Sequence, residues 1–150
     1  MLELIERDAF MVAWLGRLER PTVDPDSLPA ALAARVRALR DIGVEVAIKD
    51  HTLDLAPVLY VHAQCKTRGF TRVAAAASFD VEAALDSALS EAESTIAACL
   101  RTEAPSAIGP DEVATPQDHA NLYAQRRYFR RADFMAGRGR TVALLSLIHI

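Results

Sequence analysis

The chain has 150 residues, of which 51% are hydrophobic and 25% charged. This composition is typical of one globular domain and excludes a disordered chain. The net charge of −3 argues against a dedicated nucleic-acid binder. No apolar run reaches the roughly 18 residues that a membrane span needs. The two cysteines are too few for a disulfide framework, and the first residues do not resemble a signal peptide. We therefore expect a cytoplasmic protein.

Apolar residues at helical spacing predict two helices at the start of the chain. The first is expected over residues 2–19 and ends before Pro21, which cannot continue a helix. Its expected buried face is Leu4, Met11, Leu15 and Leu18, with Phe10 and Trp14 on a flanking stripe. The second is predicted over about residues 27–42, with Ser27 as its N-cap and Gly43 just past its end.

The middle of the chain changes to the period of two that is typical of strands. Strands are predicted over residues 44–49 and 57–63, and residues 72–77 are either a third strand or a fully buried segment of small residues. A long helix follows, which Asp80 caps and which ends near Arg101. A loop over residues 102–116 precedes a fourth helix at about 117–134. These elements predict an α+β fold in which helices pack on a small mixed β-sheet.

Two groups of acidic residues are candidates for a metal–phosphate site. Glu3, Glu6 and Arg7 share one face of the first helix, because residues three and four apart are neighbours on a helix. Mg²⁺ bound to nucleotide phosphates needs one or two carboxylates, and an arginine can contact the phosphates. Glu91 lies beside the buried stripe of the long helix, where a carboxylate needs a cation or a hydrogen-bond donor. A solvated helix start for the first group and a boundary glutamate for the second are the alternatives.

Three further patterns carry weaker expectations. The loop from Asp50 to Asp54 lies between two strands and is either a ligand contact or a turn. His62 and Cys65 lack two more ligands at zinc spacing, so we expect no metal there. The arginines of residues 126–131 are interpreted as a solvated face or as a contact with an acidic partner.

Taken in order, these segments resemble the YcaO family, above all its cyclodehydratases, which make thiazole and oxazole rings in ribosomal peptides. Glu3, Glu6 and Arg7 match the Ser-x-x-Glu-x-x-Glu-Arg pattern of the first ATP-site helix, whose serine would precede Met1. Glu91 matches the second acidic ATP-site position. Further short motifs also resemble the family: Asp50-x-Thr52-x-Asp54, and Asp118-His119 followed by Tyr123. Ser94 departs from the family pattern, which has glutamine at that place.

The resemblance implies cofactors, site residues and partners. It implies that ATP and Mg²⁺ bind, that Glu3, Glu6 and Glu91 hold the metal, and that Arg7 joins them at the nucleotide. It implies that ATP activates a peptide amide that a neighbouring Cys, Ser or Thr side chain has attacked. The expected partners are a ribosomal precursor peptide, a leader-peptide-binding protein and a second copy in a homodimer, with no nucleic acid and no membrane. The resemblance leaves the catalytic residues themselves unassigned.

The family's domains are longer than this chain, so residues 1–135 are interpreted as a partial YcaO-like ATP-binding domain. Residues 136–150 remain unassigned, because the apolar run from Thr141 to Ile150 resembles translated sequencing-adapter sequence. Two other functions stay open. One is a non-catalytic relative that binds a peptide or a partner, which Ser94 favours, and the other is a small α+β ligand-binding module.

Overall fold

The computed structural model describes residues 1–102, 108–137 and 139–147 and has an α+β fold. Its strands are Thr22–Val23 (β1), Glu45–Asp50 (β2), Val58–Cys65 (β3), Phe70–Ala77 (β4) and Thr141–Val142 (β5). They form one sheet in the order β4-β3-β2-β1-β5, so β4 lies at an edge. The pairs are antiparallel except for β1 with β5, which is parallel. The expectation of helices on a small mixed sheet is therefore confirmed.

The main helices are Leu2–Leu15 (α1), Ala30–Asp41 (α2), Val81–Arg101 (α3), Pro116–Tyr123 (α4) and Asp133–Ala136 (α5). Short 3-10 turns cover Pro25–Ser27, Pro110–Glu112, Phe129–Ala132 and Leu144–Leu147. Among the described residues, no helix is both long and apolar enough to cross a membrane.

The main hydrophobic core lies on one face of the sheet, beneath α2 and α3. Alternate residues of the strands, such as Val61 and Ala63, meet the buried side of α3 around Leu85 and Leu89. Asp80 caps α3 as predicted, because its carboxylate accepts hydrogen bonds from the backbone N–H groups of Glu82 (2.9 Å) and Ala83 (3.2 Å). The Asp80 cap and the buried side of α3 together fix this helix beside β4.

The opposite face of the sheet is covered by α1 and the segment around α5. The prediction of which face of α1 is buried is wrong. The structure buries Ala9 and Ala13 and half-buries Phe10 and Trp14. The stripe of Leu4, Met11, Leu15 and Leu18 is 39–72% exposed. Small side chains permit the close approach of α1 to the alanine-rich strand β4. The helix ends at Leu15, before a turn at Gly16, and not near residue 19.

Two other helix predictions need correction. Pro29, and not Ser27, occupies the N-cap position of α2, and the Ser27 hydroxyl instead donates to the Asp24 carbonyl at 2.7 Å. The predicted helix over residues 117–134 breaks after Tyr123 into turns, a 3-10 segment and α5. The Phe129 carbonyl accepts hydrogen bonds from Gln64 (3.2 Å) and Thr71 (2.9 Å), so tertiary contacts with the sheet replace the helical ones.

The C-terminal segment that the sequence left unassigned joins the fold as far as residue 147. Thr141 and Val142 pair with β1, and Leu144 and Leu147 are buried in the main core. Residues 148–150 of the apolar run, and residues 103–107 of the predicted loop, lie outside the described residues.

Candidate functional site

The candidate site lies where α1 and α3 flank the edge strand β4 from its two faces. Glu6 of α1 and Glu91 of α3 approach each other there. Partial burial raises the pKa of Glu6, the charge of Glu91 raises it further, and the backbone N–H of Ala77 opposes that change. Partial burial also raises the pKa of Glu91. Two carboxylates brought together are the arrangement that a metal ion stabilises.

The other two predicted residues of the first helix lie beside this pair. Glu3 is exposed, and its charge also raises the pKa of Glu6, whereas the charge of Arg7 lowers it. Within the described residues, no group of three His, Cys, Asp or Glu side chains is assembled to hold a metal ion. Two carboxylates nevertheless fit Mg²⁺, which takes its remaining ligands from phosphate oxygens and water. The residues present therefore fit a nucleotide-bound Mg²⁺ better than a metal bound by protein alone.

A cleft of about 700 Å³ begins at Glu91 and runs along the outer edge of β4. It is bounded by α1, by the C-terminal half of α3 and by α4. Its walls include five side chains with aromatic rings: Phe10, Trp14, Phe70, His119 and Tyr123. The sequence did not predict this cleft, although its resemblance had singled out His119 and Tyr123.

Trp14 is the centre of the aromatic wall. Its ring meets those of Tyr123 at 5.7 Å and His119 at 6.2 Å edge-on, stacks on Phe10 at 5.8 Å and contacts Phe134 at 5.3 Å. Such aromatic pairs hold each ring in a defined orientation. Trp14 is also the single tryptophan of the sequence, so tryptophan fluorescence reports on the surroundings of this one side chain.

The polar groups of the cleft are mostly engaged within the protein. Arg72 donates to the Cys99 sulfur at 2.9 Å and to the Ala120 carbonyl at 2.7 Å, which ties α3 to α4. The side chains of Gln117 and Asn121 bond to each other at 2.9 Å. The cleft therefore offers mainly apolar surface, with the Glu91 carboxylate at one end.

A second polar cluster, which the sequence reasoning missed, is buried on the α1 face of the sheet. His51 stacks on Tyr60 at 4.5 Å, and Tyr60 lies 6.3 Å from His62. Both imidazoles and the Tyr60 hydroxyl have no hydrogen-bond partner among the described residues. Burial lowers the pKa of His51 to about 3 and that of His62 to about 4. Lys49 lies beside them, and its ammonium donates to the Thr22 hydroxyl at 2.9 Å.

The weaker sequence candidates do not join either site. The Asp50 carboxylate accepts a hydrogen bond from the Thr52 backbone N–H at 2.9 Å, which favours the turn interpretation of that loop. His62 lies on the α1 face of β3, whereas Cys65 lies in the main core, so the two side chains cannot share a metal. Arg127 and Arg131 stack on the Tyr128 ring, each 4.6 Å from its centre.

A sequence model of one family matches nearly the whole chain. The family is YcaO, described as YcaO cyclodehydratase, ATP- and Mg²⁺-binding, and the match covers residues 1–146. The chain belongs to the YcaO family. No curated protein matches the chain.

Solved structures share the fold at low sequence identity. YcaO from Methanopyrus kandleri, bound with AMPPCP and Mg²⁺, has a TM-score of 0.69 and 20% identity, covering 97% of this chain and 36% of its own. The E. coli microcin synthetase McbBCD complex, with pro-MccB17 bound, has a TM-score of 0.68 and 16% identity, covering 93% and 38%. A heterocyclase in complex with substrate and cofactor has a TM-score of 0.65 and 23% identity, covering 81% and 17%. This chain therefore spans well under half the length of each of these structures.

Proposed function

We propose that this chain is the nucleotide-site part of an enzyme that uses ATP to activate a peptide backbone amide. The specific reaction proposed is cyclodehydration, which forms thiazoline or oxazoline rings in a ribosomal peptide. One observation carries the proposal: Glu6 and Glu91 are 85 positions apart in sequence and lie on different helices, yet they come close enough at the edge of β4 for the charge of Glu91 to raise the pKa of Glu6. Membership of a family described as ATP- and Mg²⁺-binding supports the nucleotide assignment.

In the proposed site, Glu6 and Glu91 hold the nucleotide-bound Mg²⁺, the exposed Glu3 adds negative charge beside them and Arg7 contacts the phosphates. When bound, the metal supplies positive charge to the phosphate oxygens. The helices contribute mainly by fixing the two carboxylates on either side of one strand, so that little reorganisation is needed when the nucleotide binds.

The proposed reaction balances as follows. A Cys, Ser or Thr side chain of the substrate attacks the carbonyl carbon of the preceding amide. The γ-phosphoryl group of ATP passes to the former carbonyl oxygen and ADP leaves. The attack of the side-chain sulfur or oxygen, which gives up its own proton, has already closed the ring. The amide nitrogen then loses its proton, the carbon–oxygen bond breaks with departure of phosphate, and a carbon–nitrogen double bond forms within the ring. ATP and the peptide thus give ADP, phosphate and an azoline, and the peptide loses the mass of one water.

The proposed partners follow from the similar structures. One is a heterocyclase in complex with substrate and cofactor, and another is a synthetase complex with pro-MccB17 bound. We propose that a ribosomal precursor peptide and a leader-peptide-binding protein act with this chain. Because the chain spans 36% of the M. kandleri structure, we also propose that further sequence completes the site in an active enzyme. A homodimer stays a prediction.

A second function, a non-catalytic relative that binds a peptide or a partner, is favoured by one observation. Ser94 lies one helical turn after Glu91 and is exposed. It stands where the family pattern has a glutamine, so one nucleotide contact would be missing.

Calorimetry with AMPPCP and Mg²⁺ tests the nucleotide site. We expect weak, Mg²⁺-dependent binding by the chain, and a loss of about tenfold or more in affinity for both Glu6→Gln and Glu91→Gln, because each removes a metal-binding charge. Glu82→Gln is the matched control, since Glu82 is exposed on the same helix as Glu91. Wild-type affinity in both site variants would refute the site. Mass spectrometry of a precursor peptide, treated with a longer protein containing this chain, then distinguishes ring formation from simple binding.

A further inference from the structure

We propose that the cleft beyond Glu91 binds the extended core segment of the peptide substrate, as an added strand along the outer edge of β4. This inference rests on the proposed function and adds where the peptide that accepts the phosphoryl group lies. It starts from the position of the cleft, because four consecutive β4 residues, Phe70 to Val73, line it. Successive side chains of a strand point to opposite faces of the sheet. A cleft that is lined by four consecutive residues of one strand must therefore border the edge of that strand.

The backbone of that edge is available for pairing at Val73 and Ala75, whereas the Thr71 carbonyl accepts a hydrogen bond from the Arg72 side chain at 3.3 Å. The Ser78 N–H donates to the Pro57 carbonyl at 3.1 Å, which fixes the phase of the ladder between β3 and β4. Hydrogen-bonded pairs alternate along antiparallel strands. Val61 lies opposite Ala74 and Leu59 lies opposite Ala76, so this alternation makes Ala74 and Ala76 the residues that hydrogen-bond to β3. The N–H and C=O groups of Val73 and Ala75, which lie between and beside them, therefore point outward. Among the described residues, no strand pairs with this edge.

The same edge connects the cleft to the carboxylates. The backbone groups of Ala77 point outward like those of Val73 and Ala75, and the Ala77 N–H lowers the pKa of the Glu6 carboxylate. The outer edge of β4 therefore leads from the proposed phosphate end, at Ala77, to the aromatic cleft at Val73. A strand lying along Val73 and Ala75 would bring its own amides beside the site at which a phosphoryl group is transferred.

The lining of the cleft favours a peptide over the nucleoside of ATP. A nucleoside is held by a few free, well-placed polar groups. Here Arg72 is bonded to Cys99 and Ala120, and Gln117 is bonded to Asn121. Free backbone groups beside an apolar wall are what strand addition uses, with main-chain bonds for affinity and pockets for alternate side chains.

Trp14 fluorescence provides the test with the chain as it exists. The probe is a capped seven-residue peptide of alternating valine and serine, and its control carries N-methyl groups along one edge. We expect saturable binding of the probe, in the presence or absence of AMPPCP and Mg²⁺, and at least about tenfold weaker binding of the N-methylated peptide, since it loses two or more main-chain bonds. Val73→Pro, which removes an outward N–H and spares the β3 ladder, should weaken the probe similarly.

Three results would overturn the inference. These are equal binding of the two peptides, competitive displacement of the probe by AMPPCP, and no saturable binding in a preparation that binds AMPPCP. The peptide comparison uses the wild-type chain, so the test does not depend on whether Val73→Pro folds. Loss of AMPPCP binding with peptide binding retained would instead count against the proposed nucleotide site, so the two failures are distinguishable.

Discussion

Substitution of His62 by leucine should make the protein more resistant to acid. His62 is 2% exposed, neither of its ring nitrogens has a hydrogen-bond partner among the described residues, and burial lowers its pKa from 6.5 to about 4. The nearby Lys49 lowers this pKa further, and Asp133 partly opposes the change. The unfolded chain therefore binds more protons than the folded protein at every pH between these two values.

The sign and size of the effect follow from this difference. Because the folded pKa is depressed, the neutral histidine costs nothing near pH 7, and stability is lost as the pH falls below about 6.5 and down towards 4. Between pH 7 and 4.5 the loss attributable to His62 is about 2.5 kcal/mol, at 1.36 kcal/mol per pKa unit. The total stability of a domain is about 5–15 kcal/mol, so this loss is easily measured.

Urea denaturation followed by circular dichroism at pH 7.0 and 4.5 provides the measurement. We expect the difference in unfolding free energy between the two pH values to be about 2.5 kcal/mol smaller for His62→Leu than for wild type. The raised pKa values of Glu6 and Glu91 act in the opposite direction, but they cancel in this comparison. His119→Leu, at an exposed histidine, is the matched control. Equal acid sensitivity of wild type and His62→Leu would refute the reasoning.

Three further predictions concern stability and association. Asp80→Ala should lower the free energy of unfolding by about 1 kcal/mol, because two N–H groups at the start of α3 lose their acceptor; chemical denaturation measures this, and an unchanged midpoint would contradict the cap. Gly69→Ala should cost more than about 1 kcal/mol, since Gly69 has φ +71° and a Cβ there would lie 2.9 Å from that of Arg126; a neutral result would mean that the turn can relax. Leu15→Ser, at a side chain 72% exposed, should leave the melting temperature within about 2 °C while reducing self-association in sedimentation experiments; a large loss of stability would show that Leu15 is packed.

The helix α3 could be predicted from sequence because every local signal agreed. Asp80 is a strong N-cap, and the apolar residues that follow repeat at helical spacing on one face only. In α1, by contrast, two different stripes satisfy the same period. Periodicity identifies which residues share a face but not which face is buried, and the alanine pair at positions 9 and 13 was buried instead of the larger leucines.

The approach of Glu6 to Glu91 could not be derived from either helix alone. It depends on both helices packing against opposite faces of one edge strand, and only the family resemblance indicated it beforehand. The buried His51–Tyr60–His62 cluster did leave a signal. Tyr60, His62 and Gln64 alternate with apolar residues along β3, and Lys49 pairs with Tyr60, which together indicate a second, polar-lined buried face.

The outward-facing leucines of α1 have a consequence for the life of this polypeptide in a cell. An exposed apolar stripe is the feature by which holdase chaperones and quality-control proteases recognise incomplete folding. Leu4 and Leu15 are 60% and 72% exposed, and Leu18, just beyond the end of the helix, is 41% exposed. The chain's abundance would therefore depend on how quickly another surface covers this stripe after synthesis, as well as on its intrinsic stability.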